Sequence, residues 1–267
     1  MRRLLLALGL IGLASAAAAD EFRLPVLRGS DTFVPAPPTF TRWSGFYVGG
    51  QWGYGGASVD FSGATRDLVA FSLRELALES EQSPSQWEVL GKTSTSASSY
   101  GGFVGVNTQW DDAILGFELN YNRTSFMAVA PLTPLTRATS AGGNAYILTI
   151  TGNASMRVTD VGTLRGRAGY AMGNFLPYLT AGFAVGRADI ARTAVASGTE
   201  NGFPFSFTET ETKNAAFLYG WAVGAGLDVA VTSNLFLRGE AEYVNFAPIS
   251  GMHATITSAR VAAGLKF

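Results

Sequence analysis

The last ten residues read Ser-Ala-Arg-Val-Ala-Ala-Gly-Leu-Lys-Phe, and their period-two alternation constrains the fold more than any other stretch. In an extended strand, Ala259, Val261, Ala263, Leu265 and Phe267 share one face, while Ser258, Arg260, Ala262, Gly264 and Lys266 share the other. One face suits hydrocarbon and the other water. An edge strand of a soluble sandwich alternates in the same way, but here the chain stops on an aromatic residue at the end of the pleat, as the closing strand of a membrane barrel does. Val261, Ala263, Leu265 and Phe267 are therefore the expected C-terminal insertion signal.

Charged residues make up only 15% of the chain, against roughly 25% in typical soluble domains. No internal stretch approaches the roughly 20 apolar residues of a spanning helix, so a membrane location requires strands. The 32 glycines suit tightly curved strands and crowded barrel interiors. Residues 1–19 have a secretory layout: Arg2 and Arg3, an apolar run from Leu4 to Leu13, and a small-residue cleavage site at Ala17-Ala18-Ala19. Residues 20–43, with Pro25, Pro35, Pro37 and Pro38, read as a periplasmic linker, which leaves 44–267 for the barrel. Removal of the leader leaves 17 basic against 20 acidic residues, a balance that argues against a nucleic-acid partner. The absence of cysteine excludes disulfides and thiolate metal sites.

Alternation recurs along the chain. Phe46, Val48, Trp52 and Tyr54 share one face of a first strand, and Tyr100, Val104, Val106 and Trp110 one face of a second. Leu115, Phe117, Leu119 and Tyr121 follow on a third, and Leu164, Ala168 and Tyr170 oppose Arg165 and Arg167 on a fourth. The same outward parity is expected back through Val158, Met156, Ile150, Leu148 and Tyr146, so this hairpin should project beyond the membrane. Leu179, Ala181, Phe183 and Val185 mark a fifth strand, Tyr219 to Leu227 a sixth, and Leu237 to Tyr243 a seventh; the terminal strand makes eight. Long connections at about 57–98, 124–157, 189–213 and 247–255 alternate with short turns. The pattern predicts an all-β fold: an eight-stranded antiparallel up-and-down transmembrane β-barrel with short periplasmic turns and long extracellular loops. Within the loops, Thr65 to Glu81 fits either a short amphipathic helix or a strand extension, and Phe203, Phe205 and Phe207 fit either a binding tip or an ordinary hairpin extension.

The inward faces carry Glu118, Arg165, Arg167, Asp228, Arg238, Glu240, Glu242, Arg260 and Lys266. Eight strands enclose a lumen just wide enough for side chains to fill, so these charges are expected to pair as a salt-bridged plug, the alternative being an ion path. His253 is the only histidine; with Ser250 and Ser258 nearby it is the one candidate base for a serine nucleophile, but no third partner is recognisable.

Five segments resemble the small outer-membrane β-barrel family of alphaproteobacteria that includes RopB and is often labelled porin family. They are Trp43-Ser44-Gly45-Phe46-Tyr47-Val48-Gly49-Gly50, Gly162-Thr163-Leu164-Arg165-Gly166-Arg167-Ala168-Gly169-Tyr170, Leu176-Pro177-Tyr178, Glu240-Ala241-Glu242-Tyr243 and the terminal Phe267. The resemblance implies a Gram-negative outer-membrane protein without enzymatic activity or cofactor, contributing to envelope integrity and surface interactions. The expected partners are outer-membrane lipid and, during insertion, the barrel assembly machinery; no surface ligand can be named. A narrow porin-like diffusion channel is the second reading, and a lipid A modifying barrel enzyme a distant third.

Overall fold

The computed structural model describes residues 42–131 and 134–267. The expected signal peptide and residues 20–41 of the expected linker lie outside the described residues. Nine antiparallel strands form among the described residues: β1 (Gly45–Asp60), β2 (Lys92–Trp110), β3 (Ala113–Val129), β4 (Leu135–Ala141), β5 (Asn144–Tyr170), β6 (Phe175–Glu200), β7 (Phe203–Ala230), β8 (Leu235–Phe246) and β9 (His253–Lys266). Eight of them close a ring. β1 pairs with both β2 and β9, neighbours in sequence pair onward, and β3 pairs with β5, so β4 stands outside the ring as a short partner of β5. Closure leaves no free edge within the spanning part, as a lipid-embedded sheet requires.

The outward parity of the spanning strands is the expected one. Phe46, Trp52, Tyr100, Leu119, Leu164, Phe183, Trp221 and Val261 are exposed, while their sequence neighbours Tyr47, Gln51, Asn120, Arg165, Ala222 and Ala262 are buried. Inward aromatic rings sit opposite glycine. Tyr47 pairs with Gly105 and Tyr178 with Gly226, and a Cβ at either glycine would run into the tyrosine ring. The high glycine content thus makes room for large inward rings in a narrow barrel.

One expectation fails above the spanning region. Val158, Met156, Ile150, Leu148 and Tyr146 do not face outward with Leu164; all five are buried. The register shifts between Val158 and Asp160, so one extra residue, Thr159, is inserted into β5 and turns every side chain before it to the other face. A second reversal lies in β7 between Ala216 and Lys213, where Ala215 adopts φ 56°. Of the four long connections, 124–157 and 189–213 are mostly strand, whereas 57–98 carries the helices and 247–255 is mostly loop. β5, β6 and β7 run for 27, 26 and 28 residues, against the 9 to 11 of a membrane crossing. The stretch 189–213 is a continuous hairpin whose turn is Asn201-Gly202, with φ 49° and 87°, a pairing of residues that tolerates the left-handed region. Phe203, Phe205 and Phe207 lie on its returning strand, so the hairpin-extension reading holds.

Thr65 to Glu81 forms helices rather than a strand extension. α1 (Arg66–Ser72) and α2 (Ala77–Gln82) are followed by a single 3-10 turn, Pro84–Gln86. Val69, Leu73 and Leu78 are buried against Tyr146, Leu148 and Ile150 of β5, which is why β5 must turn its apolar side inward here. Below this layer Phe61, Phe126, Met156, Val158, Phe246 and Ile256 fill the upper lumen. Each contributes about 1.5–3 kcal/mol relative to exposure.

Candidate functional site: the charged lumen

Eight of the nine expected lumen charges meet in one network. Three cross-strand pairs stand directly opposite one another in neighbouring strands: Glu118 with Arg165, Asp228 with Arg238, and Glu240 with Arg260. The strand registers alone bring these together. Contacts across the lumen then join them. β5 and β8 are not neighbours in the ring, yet Arg165 Nη1 lies 2.6 Å from both Glu240 Oε1 and Glu242 Oε2. Arg238 Nη1 reaches Glu118 Oε2 at 2.6 Å and its Nε reaches Asp228 Oδ1 at 2.8 Å, while Arg167 Nη2 reaches Asp228 Oδ2 at 2.5 Å. Arg260 Nη2 spans Glu240 and Glu242 at 2.5 and 2.8 Å. Four arginines therefore balance four carboxylates, and Arg165 is completely buried among three of them.

Two tyrosines complete the network. Tyr47 Oη donates to Glu118 Oε2 at 2.9 Å, and Tyr178 Oη donates to Glu240 Oε2 at 2.7 Å. The Arg167 guanidinium also stacks 3.6 Å from the centre of the Tyr178 ring. Neither tyrosine is assigned a role by the sequence alone; the available signal is their parity, opposite to that of Phe46 on β1 and of Leu179 on β6. Satisfaction is incomplete: Arg165 Nε, Arg260 Nε, and Arg167 Nε and Nη1 are buried without a hydrogen-bond partner. A buried donor left unpaired costs about 1–3 kcal/mol, so these four nitrogens offset part of what the ion pairs contribute. Next to Arg260, a cavity of about 20 Å³ is lined by Ser99, Asn122, Phe126 and Ser258, room for roughly one water.

Below the charges lies an apolar floor. Trp43, Tyr47, Phe103, Ile114, Leu176 and Phe236 pack together at the end of the short turns. Trp43, the last residue of the expected linker, is buried; its backbone N–H donates to Gln109 Oε1 at 2.8 Å and its indole to the Gly173 carbonyl at 3.3 Å. Lys266 is the expected lumen charge that does not join the network. It sits at this rim, with Nζ donating to the Arg42 carbonyl and lying 5.1 Å from the centre of the Trp43 ring. Above the charges, Gln51, Asn120 and Asn122 exchange side-chain hydrogen bonds of 2.6–3.3 Å, and the apolar upper lumen follows.

The outer mouth is covered by the α1–α2 segment, which is anchored by Arg192 of β6. Its guanidinium is bidentate to Asp67, at 2.5 and 2.6 Å, bonds Glu211 of β7 at 2.6 Å, and donates to the carbonyls of Ala64 and Ser250 at 3.0 and 3.3 Å. Burial pushes the Asp67 carboxyl up, but the Arg192 hydrogen bonds and charge outweigh it and hold the group below its ordinary range. His253 lies near this rim with Nε2 3.2 Å from Asn245 Oδ1, while Ser250 Oγ accepts from Lys213 Nζ at 3.0 Å. The histidine and Ser250 are thus engaged with other partners. Val261, Ala263, Leu265 and Phe267, the residues of the expected insertion signal, are exposed on the outer surface, and the Phe267 N–H donates to the Phe46 carbonyl at 2.8 Å, continuing the ring closure.

Comparison with known proteins agrees with this architecture. The 25 kDa outer-membrane immunogenic protein of Brucella ovis is 33% identical over 106 residues, which is 40% of this chain and 42% of that protein. The 31 kDa outer-membrane immunogenic protein of Brucella melitensis is 28% identical over 242 residues, spanning 86% of this chain and 81% of that one. The chain therefore spans less than half the length of the first relative and most of the second. Among solved structures, Neisserial surface protein A is a distant likeness, 15% identical with a TM-score of 0.37, covering 84% of this chain and 98% of that one. Residues 4–267 match the model of the outer membrane protein beta-barrel domain, and the chain belongs to that family.

Proposed function

We propose that this protein is a non-enzymatic, non-conducting barrel that contributes to the cell envelope as a structural element and presents its projecting sheet at the cell surface. The observation that carries the reading is the Arg165 centre: one fully buried guanidinium bridges carboxylates from β3 and β8 and ties opposite walls of the lumen together. An ion path would need those charges hydrated and apart; here they are paired at 2.5–2.8 Å between an aromatic floor and an apolar upper layer. The strand extensions of β5, β6 and β7 form an apolar-backed surface held by α1 and α2, a form suited to display rather than turnover. The relatives named as outer-membrane immunogenic proteins fit such display. Liposome swelling tests the reading: vesicles loaded with the purified protein should stay as impermeable to small sugars as protein-free vesicles, and swelling at porin-like rates would replace it with the channel reading.

A further inference from the structure

Beyond the ring, β4, β5, β6 and β7 continue as one projecting sheet, and its two edges differ. The β4 edge is short and attended by α2: Gln82 Nε2 donates to the Ser140 carbonyl at 3.3 Å, and the Glu81 carboxylate accepts from the Gly142 N–H at 3.1 and 3.2 Å. The β7 edge is long and bare. β7 pairs with β6 as far out as Phe203, but with β8 only from Gly220 to Ala230. At the inner end of this gap the turn between β8 and β9 touches β7, where Lys213 Nζ donates to Ser250 Oγ at 3.0 Å. Along residues 203–212 the backbone groups that point away from β6 face no strand among the described residues. None of these residues is buried, whereas their partners Arg192, Ala194 and Ala196 on β6 are.

Sheet edges are normally blunted by proline, lysine, bulges or inward charges, because a row of unpaired N–H and C=O groups is a template for any strand of suitable pattern. In β7 the first three of these devices stand at the ends: Pro204 near the tip, and Lys213 with the left-handed Ala215 at the base. Between them, the face that Phe205 shares with α1 and α2 carries Phe205, Phe207, Glu209 and Glu211 in one row. The Phe205 and Phe207 rings lie 5.8 Å apart, and Phe207 is 38% exposed. Glu211 is already matched by Arg192 and Lys213. Glu209 has neither a hydrogen bond nor an ion pair among the described residues. A strand added at this edge would place its own side chains about 4.5–5.5 Å from that row. One phase of its residues would meet two phenylalanines and an unpaired carboxylate, and the other phase Ser206 and Thr208.

We propose that the bare edge of β7 takes up an extended segment of another polypeptide as an added antiparallel strand. It selects a basic residue opposite Glu209, followed at alternate positions by apolar residues opposite Phe207 and Phe205. Main-chain hydrogen bonds supply the attachment, and the row of side chains supplies the choice. The antiparallel direction continues that of the sheet and is the more stable pairing per residue. Glu209 acts in both senses: it deters a strand that sets an acidic residue against it and favours one that brings a cation. The proposal deepens the display reading, on which it rests for the outward placement of the sheet; peptide binding by the purified barrel succeeds or fails independently of the liposome test.

The test titrates the full-length barrel in lipid nanodiscs into a fluorescently labelled peptide, Thr-Thr-Ser-Lys-Thr-Val-Thr-Val-Thr, and follows anisotropy. In antiparallel register the lysine of the peptide meets Glu209 and its valines meet Phe207 and Phe205. This peptide should bind, and the same peptide with glutamate in place of lysine should bind about tenfold more weakly. N-methylation of the lysine and both valines, or instead of the residues between them, should abolish binding in one phase and spare it in the other, because only alternate N–H groups face β7. Glu209→Lys should reverse the preference between the two peptides. Glu75→Lys, the same charge change on an exposed residue between α1 and α2, should leave that preference as in wild type. No binding of either peptide, equal loss from both methylated phases, or an unchanged preference in Glu209→Lys would overturn the proposal. So would sedimentation of the detergent-solubilised barrel as a dimer that the peptide does not dissociate, which would give the edge to a second copy. The methylated pair needs wild-type protein alone and keeps the test decisive should Glu209→Lys fail to insert.

Discussion

Replacing Arg165 with methionine keeps an unbranched apolar stem and removes the buried guanidinium with its charge, which opens the ion network at its centre. Arg165 contacts Glu118, Glu240 and Glu242. After the change Glu118 still has Arg238, and Glu240 and Glu242 still share Arg260, so no carboxylate is left alone. The cluster nevertheless passes from four cations against four anions to three against four, in a site that is almost completely buried. Breaking a buried pair by deleting one partner costs about 3–5 kcal/mol, and the surviving partners place the expected loss at about 3 kcal/mol, the lower end. Glu242 is the carboxylate to neutralise in a compensating change, because its partners are Arg165 and Arg260 alone whereas Glu240 also accepts from Tyr178. Arg165→Met/Glu242→Gln should recover about 1–2 kcal/mol. Reversible urea unfolding in lipid vesicles, followed by tryptophan fluorescence, measures the four free energies of wild type, Arg165→Met, Glu242→Gln and the double variant. A loss under about 1 kcal/mol for Arg165→Met, with additive effects in the double variant, would mean that water screens the cluster and that the paired lumen is wrong.

Other consequences are more local. Deleting Phe267 removes the hydrogen bond to Phe46 and an exposed aromatic at the lipid boundary, so the folded outer-membrane fraction should fall while export continues, read as loss of heat-modifiable migration. Val261→Arg places a charge on a lipid-facing, 61% exposed position and should cost about 2–4 kcal/mol near the midplane, whereas Ala262→Ser on the buried face should be mild; the reverse order in vesicle refolding would refute the assigned parity. Asp67→Asn should loosen the α1–α2 segment, seen as faster proteolysis within residues 61–91. Because the folded pKa of Asp67 is depressed below its ordinary 3.8, the latch contributes fully above that value and is lost as pH falls through the lower folded value. Acidified wild type should therefore come to resemble the asparagine variant, and unchanged protection at acid pH would count against the latch.

The spanning half of the barrel was legible because its alternation is local: Leu115 to Tyr121 or Leu237 to Tyr243 reveals which face meets lipid without knowledge of any neighbour. The inward charges were legible for the same reason. Their partners followed from strand register, which neighbouring turns determine, and from a barrel too narrow to keep opposite walls apart. The failure of parity in β5 has one cause. A single inserted residue, Thr159, reverses the parity of everything before it in β5, and bulges leave no composition mark in Val158-Thr159-Asp160. With the parity reversed, Tyr146, Leu148 and Ile150 become the floor on which α1 and α2 pack, a tertiary arrangement no local period announces. Lys266 shows the limit of parity at a strand end. It points inward in register with its neighbours, but at the rim the nearest oxygen is the Arg42 carbonyl rather than a carboxylate. Trp43 escaped the strand pattern altogether, since it lies before β1 and closes the floor through its indole.

Single-channel conductance in planar bilayers addresses the central claim most directly. Wild-type protein should leave the membrane at its baseline, and Arg165→Ala/Arg167→Ala, which clears two of the four guanidinium groups from the lumen, should raise the conductance. A stable ohmic channel from the wild-type barrel, unchanged by that truncation, would show a water-filled path past the charges and contradict the account.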